Sequence, residues 1–254
     1  MTYSPTDGST ALASGGRTQS SPLRDGVPDE LRRITERTLA HYDQNAQSFW
    51  EHTRDHDVSQ NIEALLTYIE SASPLEVLDF GCGPGRDLMR FKAMGHRVTG
   101  LEGSAQLAAL ARANSGCQVL EQNFLQLDLP KACFDGVFAN AVLFHVPSQE
   151  LPRVLEELHR ALKPGGVLFC SNPHGDGREG WNGDRYGAFH DWPSWRRFVT
   201  VAGFVELTHY YRPPGLPREQ QPWLASVWRK ADTDNTGAKA AANVCVCGGG
   251  KSPF

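Results

Sequence analysis

Val77-Leu78-Asp79-Phe80-Gly81-Cys82-Gly83-Pro84-Gly85-Arg86-Asp87 is an apolar run that ends in three glycines set two apart. A buried strand that turns sharply into a helix reads this way, and the turn is expected to bring bare backbone N–H groups and the positive end of the helix close to a ligand. A dinucleotide fingerprint, G-x-G-x-x-G, would put its third glycine where this chain has Arg86. Asp79 stands two residues before Gly81, where its carboxylate can face the ligand or brace the loop.

Working toward the C-terminus, Asp87 to Met94 is expected to be a helix and Arg97 to Leu101 a second strand ending in Glu102. A carboxylate at that strand end can accept two hydrogen bonds from a ribose diol, so Glu102 is the candidate ribose ligand, with Gly103 beside it. Ser104 is a candidate N-cap for a helix over 105–113. Cys117 to Gln122 reads as a third strand, and Asn123 and Phe124 follow at its end. The Asn123 amide oxygen can accept a hydrogen bond, and Phe124 offers a ring to stack or a backbone N–H; a plain turn is the alternative. Phe134 to Asn140 is a fourth strand. Open α/β sheets gather their chemistry at such carboxyl ends, which makes Asn140, Phe144 and His145 candidates. His145 is either satisfied by backbone, or touches substrate or takes its proton. The periodic run from Gln149 to Leu162 is a helix stopped by Lys163-Pro164-Gly165-Gly166, and Val167 to Ser171 is a fifth strand.

The D-x-G-x-G-x-G run at 79–85, Phe134-Asp135-Gly136-Val137, and Leu162-Lys163-Pro164-Gly165-Gly166 ahead of an apolar strand together resemble the class I S-adenosylmethionine-dependent methyltransferases. Tyr42-Asp43-Gln44-Asn45-Ala46-Gln47-Ser48-Phe49 is similar to the Tyr-Asp-x-x-Ala-x-x-Phe run that opens the helical cap of such enzymes. The resemblance covers about residues 40–229. It implies a Rossmann-like α/β fold: a seven-stranded sheet with helices on both faces, five strands parallel and a closing antiparallel pair, under an N-terminal helical cap. It also implies S-adenosylmethionine as cofactor, with the glycine loop around its amino-acid half, Glu102 on its ribose, and Asn123 and Phe124 at its adenine; Asp79, Gly81, Cys82, Gly83, Gly85, Gly103 and Asn140 complete the cofactor-binding set. Asn123 departs from the aspartate usual in the family. The Asn/Asp-Pro-Pro-aromatic signature of DNA amino-methyltransferases does not follow the fourth strand.

Outside these motifs, helical periodicity begins near Pro28 and runs to Phe49-Trp50, and a second helix covers about 58–70. The polar segment between them is either a solvated loop or, with Tyr42, Trp50 and Arg54, part of the active-site mouth. From Asn172 to His190 the chain is long and densely decorated, which reads as a substrate lid carrying His174, Trp181, Arg185 and Tyr186. A helix over 193–202 and two strands, 204–211 and 223–229, complete the fold. Residues 1–27 and 231–254 have the composition of disordered ends; 28–70 is the cap and 71–230 the cofactor-binding core. The first segment, with Arg17 and Arg24, faintly resembles a transit peptide but lacks an amphipathic pattern.

The net charge of -4 and a pI near 6.1 give no general attraction to phosphate backbones, so nucleic acid is not an expected partner. Mean hydropathy is -0.42 and no apolar run has the length of a membrane helix, so a soluble cytoplasmic monomer or homodimer is expected. Cys82, Cys117, Cys133 and Cys170 read as reduced packing residues. Cys245-Val246-Cys247 lacks the paired second cluster of a metal site, and no metal is expected.

The expected chemistry is methyl transfer to a small polar acceptor at nitrogen or sulfur. His145, His174 and Tyr42 are the catalytic candidates, and Trp50, Arg54, Phe144, Trp181, Arg185 and Tyr186 the substrate-binding ones. O-methylation, an NAD-dependent oxidoreductase and a non-catalytic nucleoside-binding module are the alternatives.

Overall fold

The computed structural model describes residues 27–231. The expectations for the N-terminal arm, the transit peptide, and the tail with Cys245 and Cys247 lie outside the described residues.

Strict alternation along the central strands decides the layering. In β1 (Glu76–Phe80) and β4 (Phe134–Asn140), Leu78, Phe80, Val137 and Ala139 face one side, while Val77 and Phe138 face the other. The first side is covered by α6 (Leu151–Ala161) and α7 (Trp192–Val201), through Leu151, Val154, Leu155, Leu158, Trp195 and Val199. The second is covered by α3 (Ser59–Thr67), whose Ile62 and Leu65 pack with Val58 on Val77, Phe138 and Phe169. α4 (Arg86–Ala93) and α5 (Ala105–Ser115) close over Cys82 and Val119 through Leu88, Ala108 and Ala111.

The remaining strands of the main sheet are β2 (Arg97–Glu102), β3 (Gln118–Glu121), β5 (Leu162–Pro173), β8 (Phe204–Arg212) and β9 (Trp223–Lys230). The order is β3-β2-β1-β4-β5-β9-β8, with β1 to β5 parallel and β9 antiparallel to both neighbours. Strand order reverses between β1 and β4, which opens a crevice at their carboxyl ends. The seven strands and the closing pair are those expected.

Three local expectations are corrected. The single helix expected from Pro28 to Trp50 is two, α1 (Asp29–Gln44) and α2 (Ala46–Thr53), because Asn45 leaves helical geometry at φ -111°, ψ 11°. β5 begins at Leu162 rather than Val167; the Pro-Gly-Gly step is absorbed as a register shift opposite Phe134 and Gly136. The expected irregular lid contains a β-hairpin, β6 (Arg178–Asn182) and β7 (Arg185–Phe189), turning at Gly183 with φ +62°.

Candidate active site at the carboxyl ends of β1, β2 and β4

A cavity of about 680 Å³ opens at the crevice, lined by α1, α2, the glycine loop, the ends of β2, β4 and β8, and β7. The glycine loop forms its floor. Gly81, Gly83 and Gly85 all have positive φ (+73°, +53° and +92°), a conformation that disfavours side chains. A Cβ on Gly85 would lie 2.9 Å from the Ala111 backbone, so that glycine lets α5 approach. One on Gly83 would meet only Phe49, at 3.6 Å.

The expectation of bare N–H groups in this loop does not hold. Gly81 and Cys82 both donate to the Leu101 carbonyl, Gly83 donates to Glu102 Oε2 at 3.0 Å, and Gly85 to the Cys82 carbonyl. With these amides spent inside the protein, the loop is ill suited to a phosphate and suits a ligand half without one.

Glu102 is buried at the cavity wall and also accepts the Ser104 N–H at 2.8 Å. Burial pushes its carboxyl up, against the pull of those backbone donors. With the Gly83, Gly103 and Ser104 N–H groups spread over its two oxygens, the carboxylate still keeps lone-pair capacity. Asp79 lies beneath the loop rather than on the wall; burial, with Asp87 and Glu102 nearby, holds its carboxyl well above the usual range, and its Oδ2 has no partner. Cys82, Gly83, Gly103, Asn123, Phe124 and Asn140 line the cavity, whereas Gly85 packs behind it. The Asn123 oxygen accepts the Leu125 N–H at 2.9 Å, and the Phe124 ring stacks on Phe80 at 4.5 Å. Asn140 accepts from Asn61, which in turn accepts from the Tyr210 hydroxyl. An extended ligand therefore fits between an apolar glycine floor and the carboxylate of Glu102.

The cap closes the site from above. In the Tyr42-to-Phe49 stretch, Tyr42 and Phe49 meet edge to face at 5.5 Å, with Phe49 over Gly83. Asp43 Oδ1 takes the Ser104 hydroxyl at 2.5 Å and the Gln106 N–H at 3.0 Å, docking α1 onto the N-terminus of α5.

Tyr42, His145 and β7 form one hydrogen-bonded chain. His145 Nδ1 lies 2.6 Å from the Tyr186 carbonyl, which can only accept, so Nδ1 carries the proton and Nε2 the lone pair. The Tyr42 hydroxyl, 2.8 Å from Nε2, must then donate to it. Burial lowers His145 to about 4, which keeps the ring neutral at neutral pH. Burial raises the Tyr42 phenol, and the Arg185 guanidinium beside it works the other way. Just before this cluster, Ala141 holds a left-handed φ of +59°, a conformation uncommon for alanine, at the cavity wall.

Five of the expected catalytic and substrate-binding residues, Trp50, Arg54, His174, Trp181 and Tyr186, do not line the cavity, each for a geometric reason. In α2 the inward positions are Phe49 and Thr53, four apart, so Trp50 and Arg54 turn away; Arg54 is exposed and pairs with Asp55. In the hairpin, Trp181 pairs with Tyr186 and shares its face, while neighbouring Arg185 points to the opposite side, into the cavity. Trp181 lies under the Arg37 guanidinium at 4.3 Å, and the Tyr186 phenol donates to Glu179; Tyr186 serves the site through its carbonyl alone. β5 runs on to Pro173 and carries His174 past the site, to Tyr211 and the Pro222 carbonyl. Phe144, with its ring 4.0 Å from His145, is at the wall.

Arg86, Asn61, Trp223 and Arg212 line the cavity and were not anticipated. Arg86 adjoins the glycine motif and could have been read from it. Arg212 and Trp223 are paired across the closing strands and carry no local signal.

Comparison with known proteins agrees with this geometry. A family model described as a methyltransferase domain matches residues 78–170. The malonyl-[acyl-carrier protein] O-methyltransferase of Pectobacterium atrosepticum is 37% identical over 107 residues, 42% of either chain. The trans-aconitate 2-methyltransferase of an Azoarcus species is 37% identical over 116 residues, 43% of either chain. The chain thus spans less than half the length of these two curated relatives. The Burkholderia thailandensis 1,6-didemethyltoxoflavin-N1-methyltransferase, solved with 1,6-didemethyltoxoflavin and S-adenosylhomocysteine, superposes with a TM-score of 0.65 at 25% identity, covering 84% of this chain and 94% of that one. Among the described residues no helix is long and apolar enough to cross a membrane. Sheet order, glycine floor, strand-end acid and these likenesses together mark residues 78–170 as a methyltransferase domain on the fold of the S-adenosylmethionine-dependent methyltransferases.

Proposed function

We propose that the protein transfers a methyl group from S-adenosylmethionine to a neutral, N–H-bearing nitrogen of a small polar acceptor. When bound, the cofactor supplies an electrophilic methyl on sulfonium, which leaves as a neutral thioether. Glu102 holds the ribose, the glycine floor admits the amino-acid half, and the wall at Asn123 and Phe124 borders the base. The cap over the floor excludes water and aligns the acceptor, which is the larger share of what such a displacement requires.

The observation that carries the reading is the Tyr186 carbonyl–His145–Tyr42 chain at the cavity wall. As a nitrogen lone pair takes the methyl, its N–H proton passes to Tyr42 Oη while the Tyr42 proton passes to His145 Nε2. A neutral imidazole in a fixed tautomer can receive it, and the imidazolium, lowered to about 4 by burial, gives the proton up to solvent at neutral pH. The structural likeness to an enzyme titled an N1-methyltransferase supports nitrogen.

A second reading is methylation of a carboxylate oxygen, favoured by the sequence likeness to an O-methyltransferase. A carboxylate needs no proton acceptor, so one variant separates the two. Tyr42→Phe is expected to lower kcat/KM about a hundredfold for a nitrogen acceptor, with S-adenosylhomocysteine affinity little changed. An unchanged kcat would favour the carboxylate reading. The acceptor is found by incubating protein and labelled cofactor with metabolite extract and identifying the product by mass spectrometry. Calorimetry should show binding of S-adenosylhomocysteine and none of NAD.

A further inference from the structure

We infer that the methyl acceptor is itself an anion: a small molecule bearing a carboxylate that Arg185 holds beside the reacting atom. The inference rests on the methyltransferase reading and names its substrate class.

Two of the cavity's cations have no carboxylate partner of their own. Three arginines line it. Arg86 is fully engaged, through two bonds to Asp87 (2.8 and 2.7 Å) and one to the Thr53 carbonyl. Arg185 has no carboxylate within ion-pair distance among the described residues, and neither has Arg212. Arg212 makes one long bond to the Asp57 carbonyl, at 3.4 Å, and its Nε is buried with no partner.

The acids at the wall are meanwhile committed. Asp87 belongs to Arg86, Glu102 to the Gly83 and Ser104 amides, and Asp57 to the Ser59 amide and Arg90. Two guanidiniums without an ion pair therefore stand in a cavity also walled by Leu39, Val58, Phe144 and Trp223. Both guanidiniums are partly buried, and a bound anion would give them the charge partner they lack. Arg185 lies beside the Tyr42 hydroxyl, so an anion on it lies at the reacting end. Its planar fork matches a carboxylate through two parallel bonds. Arg212 adds to the positive potential that draws the acceptor in.

The competing explanation is that Arg185 holds the cofactor's own carboxylate, and the test separates the two. Protein saturated with S-adenosylhomocysteine is titrated calorimetrically with matched pairs, nicotinate against nicotinamide and imidazole-4-carboxylate against its carboxamide. The carboxylates are expected to bind about tenfold tighter than the carboxamides. Arg185→Gln should abolish that preference and Arg185→Lys restore part of it, with S-adenosylhomocysteine affinity within about twofold of wild type and an unchanged melting temperature. Arg212→Gln should weaken carboxylate binding about threefold. Equal or stronger binding of the carboxamides, binding of neither member, or lost S-adenosylhomocysteine affinity in Arg185→Gln overturns the inference. Failure of the wild-type protein to take S-adenosylhomocysteine overturns the methyltransferase reading instead, and the inference falls with it.

Discussion

His145 gains its character from the two oxygens that flank its ring, and that character has a pH signature. Burial takes its titration from 6.5 to about 4, so the folded protein disfavours a proton that the unfolded chain accepts. Stability from this group is therefore full above pH 6.5 and drains away as pH falls toward 4, by on the order of 3 kcal/mol. Glu102 and Asp79, held up by burial, act with the opposite sign in an overlapping window, so the wild-type curve alone does not isolate the histidine. His145→Asn keeps a donor for the Tyr186 carbonyl and removes the titration. Urea midpoints should show wild type losing ground to this variant between pH 7 and 4, and parallel curves would contradict the assignment. The glycines make a second prediction. Gly83→Val points into the cavity beside Phe49 and should abolish S-adenosylhomocysteine binding; the left-handed φ costs about 1–3 kcal/mol, which lowers the melting temperature without unfolding the domain. Gly85→Val drives a side chain into the Ala111 backbone and should unfold the domain. Circular dichroism and calorimetry on the pair distinguish a lining position from a packing one. At this scale the sequence was legible wherever a motif carries its own geometry, as at Gly81 to Gly85 and Glu102. It was silent on the Tyr42–His145 bond, because the partners lie 103 residues apart and meet only through tertiary packing.

Among the elements, the helical cap and the hairpin behave as one cover. The Tyr186 N–H, buried in β7, donates to the Thr38 hydroxyl of α1 at 3.1 Å. At the rim, Arg37 binds Asp184 at 2.7 Å and lies over Trp181. The two attachments differ in value. Arg37 and Asp184 are half exposed, and such a pair is worth at most about 1 kcal/mol. Losing the Thr38 hydroxyl strands a buried backbone donor, at a cost of about 1–3 kcal/mol. Thr38→Val should therefore lower stability more than Arg37→Ala and speed amide exchange along β7, since that strand's hold on α1 is lost. Hydrogen exchange read by mass spectrometry checks the order. The sequence marked 172–190 as a functional segment through its density of polar and aromatic residues, yet not as a hairpin. Gly180 and Asn182 break the strand pattern there, and the pairing is stabilised by contacts to α1 that no local window contains.

Across the whole molecule, the boundary between cap and core drawn near residue 70 does not separate two independent units. α1 and α2 cover the cavity, but α3 is part of the sheet's second layer. Leu65 is fully buried, and Ile62 and Val58 nearly so, against Val77, Phe138, Phe169 and Val227. Gly136 sits within 3.4 Å of Leu65 and within 2.8 Å of Ile69, counting from where its Cβ would stand, so the layers meet without slack. Burying three such side chains contributes about 1.5–3 kcal/mol each, comparable in sum to the whole net stability of a domain. Two truncations follow. Removing residues through Asp57 takes away Tyr42, Phe49 and the water-excluding cover while leaving α3 in place. That protein should keep a cooperative thermal transition and lose S-adenosylhomocysteine binding. Removing residues through Glu70 also strips the second face of the sheet, exposing Val77, Phe138 and Phe169 as one apolar surface, and should give a chain that aggregates or melts without a transition. If the shorter chain folds as well as the longer one, α3 belongs to the cap after all, and the sheet must be stable with one face bare.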